Sequence, residues 1–253
     1  MLLRDGLEIG AKNHLFIGGC DAVSLTQEYG TPLYVVDEQY LRGMCRAFVA
    51  AMSAYAPGGS VCYASKAFST TAMCRMVAQE GMGLDVVSGG ELYTALKADF
   101  PMERITFHGN CKTPGEVQMA VELGVGRIVI DSRSEIPLIQ AVAADLGKTV
   151  KVMLRMNPGI EAHTHKAVQT ATLDCKFGLG IDDGEALAAA KMVHASPNLE
   201  LTGVHVHIGS QIFEADPYVE AIGRLTDFMM LATAVVGHEL TELAIGGGFG
   251  VRY

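Results

Sequence analysis

The sequence predicts an α/β fold in which repeated strand–helix units surround a buried parallel sheet, as in a (β/α) barrel. Three observations lead there. From Ser60 onward, short runs rich in Val and Ile alternate with longer Ala-rich stretches of helical periodicity, which is the rhythm of βα units. The strand candidates carry almost no charge along their length, as strands covered on both faces require. Their C-terminal ends read YASK, DVVSGGE, FHGN, IDS, RMNPG, HVHIGS and GGGFG. Polar and glycine-rich residues thus collect at one edge, and in a parallel barrel that edge is the mouth where chemistry is done.

The elements follow in order. Residues 1–59 differ in character from the rest, with a strand candidate at 32–37 and a helix candidate at 38–54, and are expected to lead into a barrel over 60–253. Within the barrel, strands are expected at 61–65, 84–88, 105–109, 127–131, 150–156, 201–207 and 243–246. Helices are expected between them at 70–80, 90–98, 114–123, 134–146, 184–194 and 217–236. The connection 157–180 is long and rich in His, Thr and Gly. Long loops at a barrel mouth favour a functional role. No low-complexity linker or tandem repeat interrupts the chain.

Composition narrows the function. With 253 residues, 49% of them hydrophobic, the chain can bury a large core, and single barrels commonly run to about 250 residues. A formal charge of −9 argues against nucleic acid, whose phosphates call for clustered Lys and Arg, and points to a small-molecule substrate. The cysteines Cys20, Cys45, Cys62, Cys74, Cys111 and Cys175 are widely spaced, without the close pairs of zinc or redox dithiol sites; buried, reduced thiols are expected. The N-terminus MLLRDGLEIG has early charges and no long apolar run. A cytoplasmic protein without a membrane span is therefore expected.

Several strand ends carry residues suited to chemistry. Lys66, in VCYASKAFS, is either an exposed strand-end lysine or one held near an apolar mouth, where its neutral amine becomes available for an imine. The run AIGGGFG (244–250) offers backbone N–H groups able to converge on a phosphate, or simply a tight turn. His205 and His207 lie at i and i+2, on one face of a strand. They fit structural roles, ring stacking or metal ligation, but no strand end supplies the further ligands a metal needs, and no metal site is expected. Asp85 and Glu91 bracket a glycine turn, close enough to influence a neighbouring Lys or His, or placed as favourable charges at a helix N-terminus.

The blocks VCYASKAFS, GLDVVSGGEL, FHGNCK, RMNPGIEAHTH with CKFGLGI, HVHIGSQI and IGGGFGVRY resemble, in order and spacing, those of diaminopimelate decarboxylases. The likeness runs from about Tyr29 to Tyr253. Ornithine and arginine decarboxylases share the lysine, histidine and glycine blocks more loosely, and the loop with EAHTH and KFG is similar to the diaminopimelate branch. The resemblance implies a barrel of the alanine racemase-like class and pyridoxal 5'-phosphate as cofactor. It implies decarboxylation of meso-2,6-diaminopimelate to L-lysine and carbon dioxide, in lysine biosynthesis. Lys66 would carry the cofactor as an aldimine, His207 would stack on its ring, and Ser210 with Gly246, Gly247 and Gly248 would hold its phosphate. Asp85, Glu91 and Arg155 would support the ring.

The family also has a Glu-Pro-Gly-Arg block after the glycine loop, and a C-terminal β domain that joins the N-terminal segment and serves a homodimer. Neither is found before Tyr253. An incomplete barrel of seven of eight strands is therefore expected, with weak or absent activity for these residues alone. A related decarboxylase, a metal-dependent barrel hydrolase using His205 and His207, and a non-catalytic fragment remain as rival readings.

Overall fold

The structure, a computed structural model, describes residues 6–160 and 177–251. It opens with three short antiparallel strands, β1 (Leu7–Ile9), β2 (Leu15–Ile17) and β3 (Cys20–Asp21), in the order β1-β2-β3. Helix α1 (Ala22–Tyr29) follows, capped by Asp21, whose carboxylate accepts from the Val23 N–H at 2.8 Å. Helix α2 (Glu38–Tyr55) starts the same way on Asp37, which accepts from the Tyr40 N–H at 3.0 Å. Each cap satisfies a donor that the first helical turn leaves open. The strand expected at 32–37 is not formed: the segment pairs with nothing among the described residues, and Tyr34 is 97% exposed. Its residue types favour a strand, but that preference is for a pleated surface packed against neighbours, and here no neighbour is present.

The barrel strands are β4 (Cys62–Ala64), β5 (Gly83–Val86), β6 (Ile105–Phe107), β7 (Arg127–Ile130), β8 (Val150–Asn157), β9 (Leu179–Gly180), β10 (Leu199–His205) and β11 (Glu242–Ala244). Seven run in the order β11-β10-β8-β7-β6-β5-β4 with every neighbouring pair parallel, and β9 pairs with the end of β8. The long connection after β8 thus returns to the sheet as β9. Helices α3 (Thr71–Gln79), α4 (Gly89–Lys97), α5 (Pro114–Leu123), α6 (Glu135–Asp145), α7 (Glu185–His194) and α8 (Asp216–Val236) carry the chain between the strands. All seven expected barrel strands and all six expected barrel helices are present.

The sheet is curled into a half-barrel. Arg127 at the foot of β7 and Glu242 at the foot of β11 are three strand steps apart, roughly 14 Å in a flat sheet. Their side chains nevertheless pair, Nε to Oε2, at 2.9 Å, and the Thr202 hydroxyl donates to the same oxygen at 2.7 Å. Burial pulls the Glu242 carboxyl upward, but Arg127 and Thr202 outweigh it and hold the group below the usual range.

Apolar strands on two buried faces make the core. Leu84, Ile105, Phe107, Ile128, Ile130 and Leu154 are completely or almost completely buried, each contributing roughly 1.5–3 kcal/mol by leaving water. Helix α8 buries Tyr218, Ala221, Leu225, Phe228, Ala232 and Val236, the three-and-four spacing of one helical face. Helix α5 has the sharpest ends: Thr113 and Glu116 form a reciprocal capping box, Pro114 occupies the first turn, and Gly124 closes the helix at φ +72°, where only glycine is unstrained. Among the cysteines, Cys45 and Cys74 are buried as expected, whereas Cys20 and Cys111 are exposed; all five described are free, and Cys175 lies outside the described residues. No helix among the described residues is long and apolar enough to cross a membrane.

Strand β10 changes register between Leu201 and Gly203. A Cβ on Gly203 would meet the Glu242 Cβ at 2.7 Å and the Glu242 carbonyl closer still, so glycine is what lets β11 dock. Gly203→Val should cost about 1–3 kcal/mol of folding free energy, the scale of overpacking a tight site, read as a lower urea midpoint. An unchanged midpoint would show that this close approach is not a constraint.

Candidate active site

The ends of β4, β8 and β10 and the loops after β5 and β6 enclose a cavity of ≈ 510 Å³. Of the residues singled out from sequence, Lys66, Arg155, His207 and Ser210 line it together, joined by His108 and Phe177. Asp85, Glu91 and the glycine loop stand behind that lining.

Lys66 sits in a single 3-10 turn, Ser65–Ala67, immediately after β4. Its neighbour Ser65 is buried and donates through its hydroxyl to Glu91 Oε2 at 2.6 Å, and the same oxygen accepts from the Val87 N–H at 2.7 Å. Glu91 therefore does more than place charge at the start of α4: it ties the β4 turn to the β5 turn and fixes the backbone that presents Lys66. Lys66 itself is exposed. Of the two sequence readings this is the exposed strand-end lysine, because the strand ends before it and the turn swings it to the open side.

The two histidines of β10 and its extension separate cleanly. His205 is buried, its Nδ1 has no partner among the described residues, and its ring meets that of His108 edge-on at 4.6 Å. His108 in turn lies 3.4 Å from Asp85, Nε2 to Oδ1. His207, two residues on, reaches the cavity. Burial, then its neighbours Lys66, Arg155 and His108, lowers the His207 imidazole to about 4, against an opposing pull from Asp85. Burial, followed by its neighbours His108, Arg155 and His207, pushes His205 down as well. Both rings are neutral near pH 7. Among the described residues no group of three His, Cys, Asp or Glu is placed to hold a metal ion.

The glycine loop after β11 lies against His207. Gly246 has φ +70° and Gly248 φ +91°, the left-handed region. A Cβ on Gly246 would meet the Val206 carbonyl at 2.5 Å and His207 Nδ1 at 3.1 Å, and one on Gly248 would strike the Gly209 carbonyl. Bare backbone is thus required for the loop to back the imidazole. The loop is held in turn by Ile212, whose N–H donates to the Gly248 carbonyl at 3.0 Å, and by the Tyr218 hydroxyl, which donates to the Gly247 carbonyl at 2.9 Å. Among the described residues, the N–H groups of Gly246, Gly247 and Gly248 are engaged by nothing. Three consecutive backbone donors in a loop packed against Gly209, the neighbour of Ser210, are the kind of group suited to an anion.

Arg155, near the end of β8, pairs with Asp131 at 3.1 Å and lies 4.3 Å from the Phe177 ring centroid, a cation over an aromatic face. Sequence reasoning left His108, Asp131 and Phe177 without roles. The signal for His108 was its place at a strand end, in FHGNCK; Asp131 was read only as the end of a strand. Residues 161–176, which hold the EAHTH motif and Lys176, lie outside the described residues.

Fold and mouth together define a class: a parallel α/β barrel whose strand-end lysine, uncharged imidazole and anion-ready glycine loop meet at one end. The family model for the pyridoxal binding domain of pyridoxal-dependent decarboxylases matches residues 41–253, and the chain belongs to that family. It is 44% identical over 253 residues to a diaminopimelate decarboxylase of Bacillus methanolicus, covering all of this chain and 59% of that protein. It is 45% identical over 240 residues to that of Bacillus subtilis, covering 95% and 55%. A solved diaminopimelate decarboxylase from M. jannaschii, in complex with L-lysine, superposes with a TM-score of 0.87 at 36% identity, over 99% of this chain and 58% of that one. The chain thus spans somewhat over half the length of these relatives.

The neutral histidines set a pH dependence. The unfolded His207 takes up a proton near its ordinary value of 6.5, the folded one only near 4. Between those values the unfolded chain binds more protons, so stability is full above about pH 6.5 and falls as pH drops through that window. His207→Phe, which keeps a flat ring without a titrating nitrogen, should show a shallower loss of urea-measured stability from pH 7 to 4. An unchanged slope would mean that His207 is not depressed.

Proposed function

We propose that this chain holds pyridoxal 5'-phosphate at the barrel mouth and takes part in decarboxylating meso-2,6-diaminopimelate to L-lysine and carbon dioxide, a step of lysine biosynthesis. The observation that carries this reading is the meeting of Lys66, His207 and Ser210 in one cavity, with the unengaged donors of Gly246, Gly247 and Gly248 behind it. Similarity to diaminopimelate decarboxylases along the whole chain, and a relative solved with L-lysine, support the substrate.

In this reading Lys66 would bind the cofactor's aldehyde, His207 would hold its ring, and Ser210 with the three glycine N–H groups would take its phosphate. When bound, the cofactor supplies the electron sink for the pair left on the substrate's α-carbon as carbon dioxide departs. The protein's own part is position and charge. Glu91 holds the Lys66 turn through Ser65; Asp85 orients His108; Asp131 orients Arg155, leaving a cationic group at the cavity wall. The neutral state of His207 keeps a further cation away from Lys66 and Arg155. We extend the proposal to a cytoplasmic homodimer, with residues 1–59 as the segment joining a β domain and 60–253 as the cofactor barrel.

The chain mixed with pyridoxal phosphate should develop a band near the visible edge, and borohydride followed by peptide mapping should place the label on Lys66. A label on Lys112 would overturn the assignment, and the structure gives a reason to expect none: the Lys112 side chain is 1% exposed and its ammonium is fully engaged.

His207→Ala should weaken cofactor retention by roughly three- to tenfold, the equivalent of about 0.5–1.5 kcal/mol of ring packing. The same change at His205, which lies beneath the cavity, should act mainly on stability. Equal losses of cofactor affinity would count against the distinction. Carbon dioxide release should be faster from meso-diaminopimelate than from ornithine or lysine; comparable rates would move the substrate to another branch of the family.

A further inference from the structure

Lys112 and Glu135 form a buried charge pair for which the reading above has no use. Lys112 follows the β6 loop and Glu135 opens α6; both are buried. The Lys112 ammonium donates to the Gly109 carbonyl at 2.8 Å, to the Val129 carbonyl at 2.6 Å and to both Glu135 oxygens at 3.1 Å. Three protons thus serve three directions. Glu135 Oε2 also accepts from the Asp131 N–H at 2.8 Å. Stability alone does not account for such a pair, because well-packed apolar side chains in its place commonly leave a protein equally stable or more so.

What the pair touches accounts for it better. On one side the ammonium grips Gly109, whose loop with Asn110 and Cys111 forms a wall of the cavity. Gly109 has φ +114°, and a Cβ there would crowd the Val87 carbonyl at 3.0 Å, so this loop is pressed against its neighbour and must be held. On the other side the carboxylate fixes the backbone of Asp131, which orients Arg155 on the adjoining wall. We propose that Lys112 and Glu135 are positioning residues for the mouth, one buried pair that sets both the 109–111 wall and the Asp131–Arg155 wall. The proposal rests on the cavity being the pyridoxal site, and the pair acts through the groups it holds.

The test compares the chain with Lys112→Met/Glu135→Met, which removes both charges at once, and with Glu135→Asp, which keeps the charge but shortens its reach. Three readouts are taken: thermal midpoint, amide hydrogen exchange over 109–112 and 130–132, and the dissociation constant and dichroism of bound pyridoxal phosphate. The expected result is a double variant with a midpoint close to that of the parent, but with exchange in both segments faster by on the order of tenfold and cofactor binding weaker by a similar factor. Parental exchange and parental affinity in the double variant would overturn the proposal. Should the double variant not fold, Glu135→Asp decides on the same two readouts. Should the parent chain take no label at Lys66, the functional reading falls by itself, and exchange alone then decides whether the pair holds the two walls.

Discussion

A strand covered on both faces has nowhere to keep a polar side chain except near its ends, and this constraint shapes the whole molecule. Leu84, Ile105, Phe107 and Ile130 fill the middle of the sheet. Because neighbouring strands are parallel, their polar ends fall on the same two rims. At the foot, the rim groups serve shape: Arg127 and Glu242 pair across the concave face, and the pairing requires curvature. At the mouth, the rim groups cannot all pair with one another, since a cavity of ≈ 510 Å³ lies between them. They are held from behind instead.

That arrangement gives the mouth two tiers. The cavity-lining tier contains Lys66, His207, Ser210 and Arg155. The tier behind contains Glu91, which joins two turns through one oxygen, Asp131, which fixes Arg155, and glycines whose missing Cβ atoms let backbone lie against His207. Side chains in the first tier face the cavity, while those in the second hold them in place. Geometry held by a supporting layer is what positional catalysis requires.

Much of this was legible in the sequence, for reasons that also mark where reading stops. Helix α5 could be bounded because its ends are local chemistry, Thr113 and Pro114 at one end and Gly124 at the other. Strand ends were legible because apolar runs stop where water begins. The N-terminal strands escaped notice because runs of two or three residues carry no periodicity, while Leu33 to Val36 looked like a strand yet has no partner to make it one. Lys66 is legible as a strand-end residue, but the choice between an exposed and an enclosed amine depends on a turn beginning one residue earlier. Pairings such as His108 with Asp85, or Lys112 with Glu135, join residues more than twenty apart whose meeting is fixed only by adjacent strands.

The histidines show how two residues apart on one strand extension become different chemical objects. The i, i+2 spacing would put both on one face of a continuous strand, but β10 ends at His205, and what separates the two rings is depth. His205 is below the rim, where burial and then basic neighbours keep it neutral and its Nδ1 finds no acceptor or donor among the described residues. His207 is at the rim, lowered only to about 4 and facing the cavity. A protonated ring at His207 would face the charges of Lys66 and Arg155, and one at His205 the charge of Arg155, in each case on top of the larger cost of burial. Neutrality of both is therefore a consequence first of burial and then of basic neighbours, Arg155 for both and Lys66 for His207 as well, and it leaves His207 as a flat, uncharged surface sharing the cavity lining with the exposed Lys66.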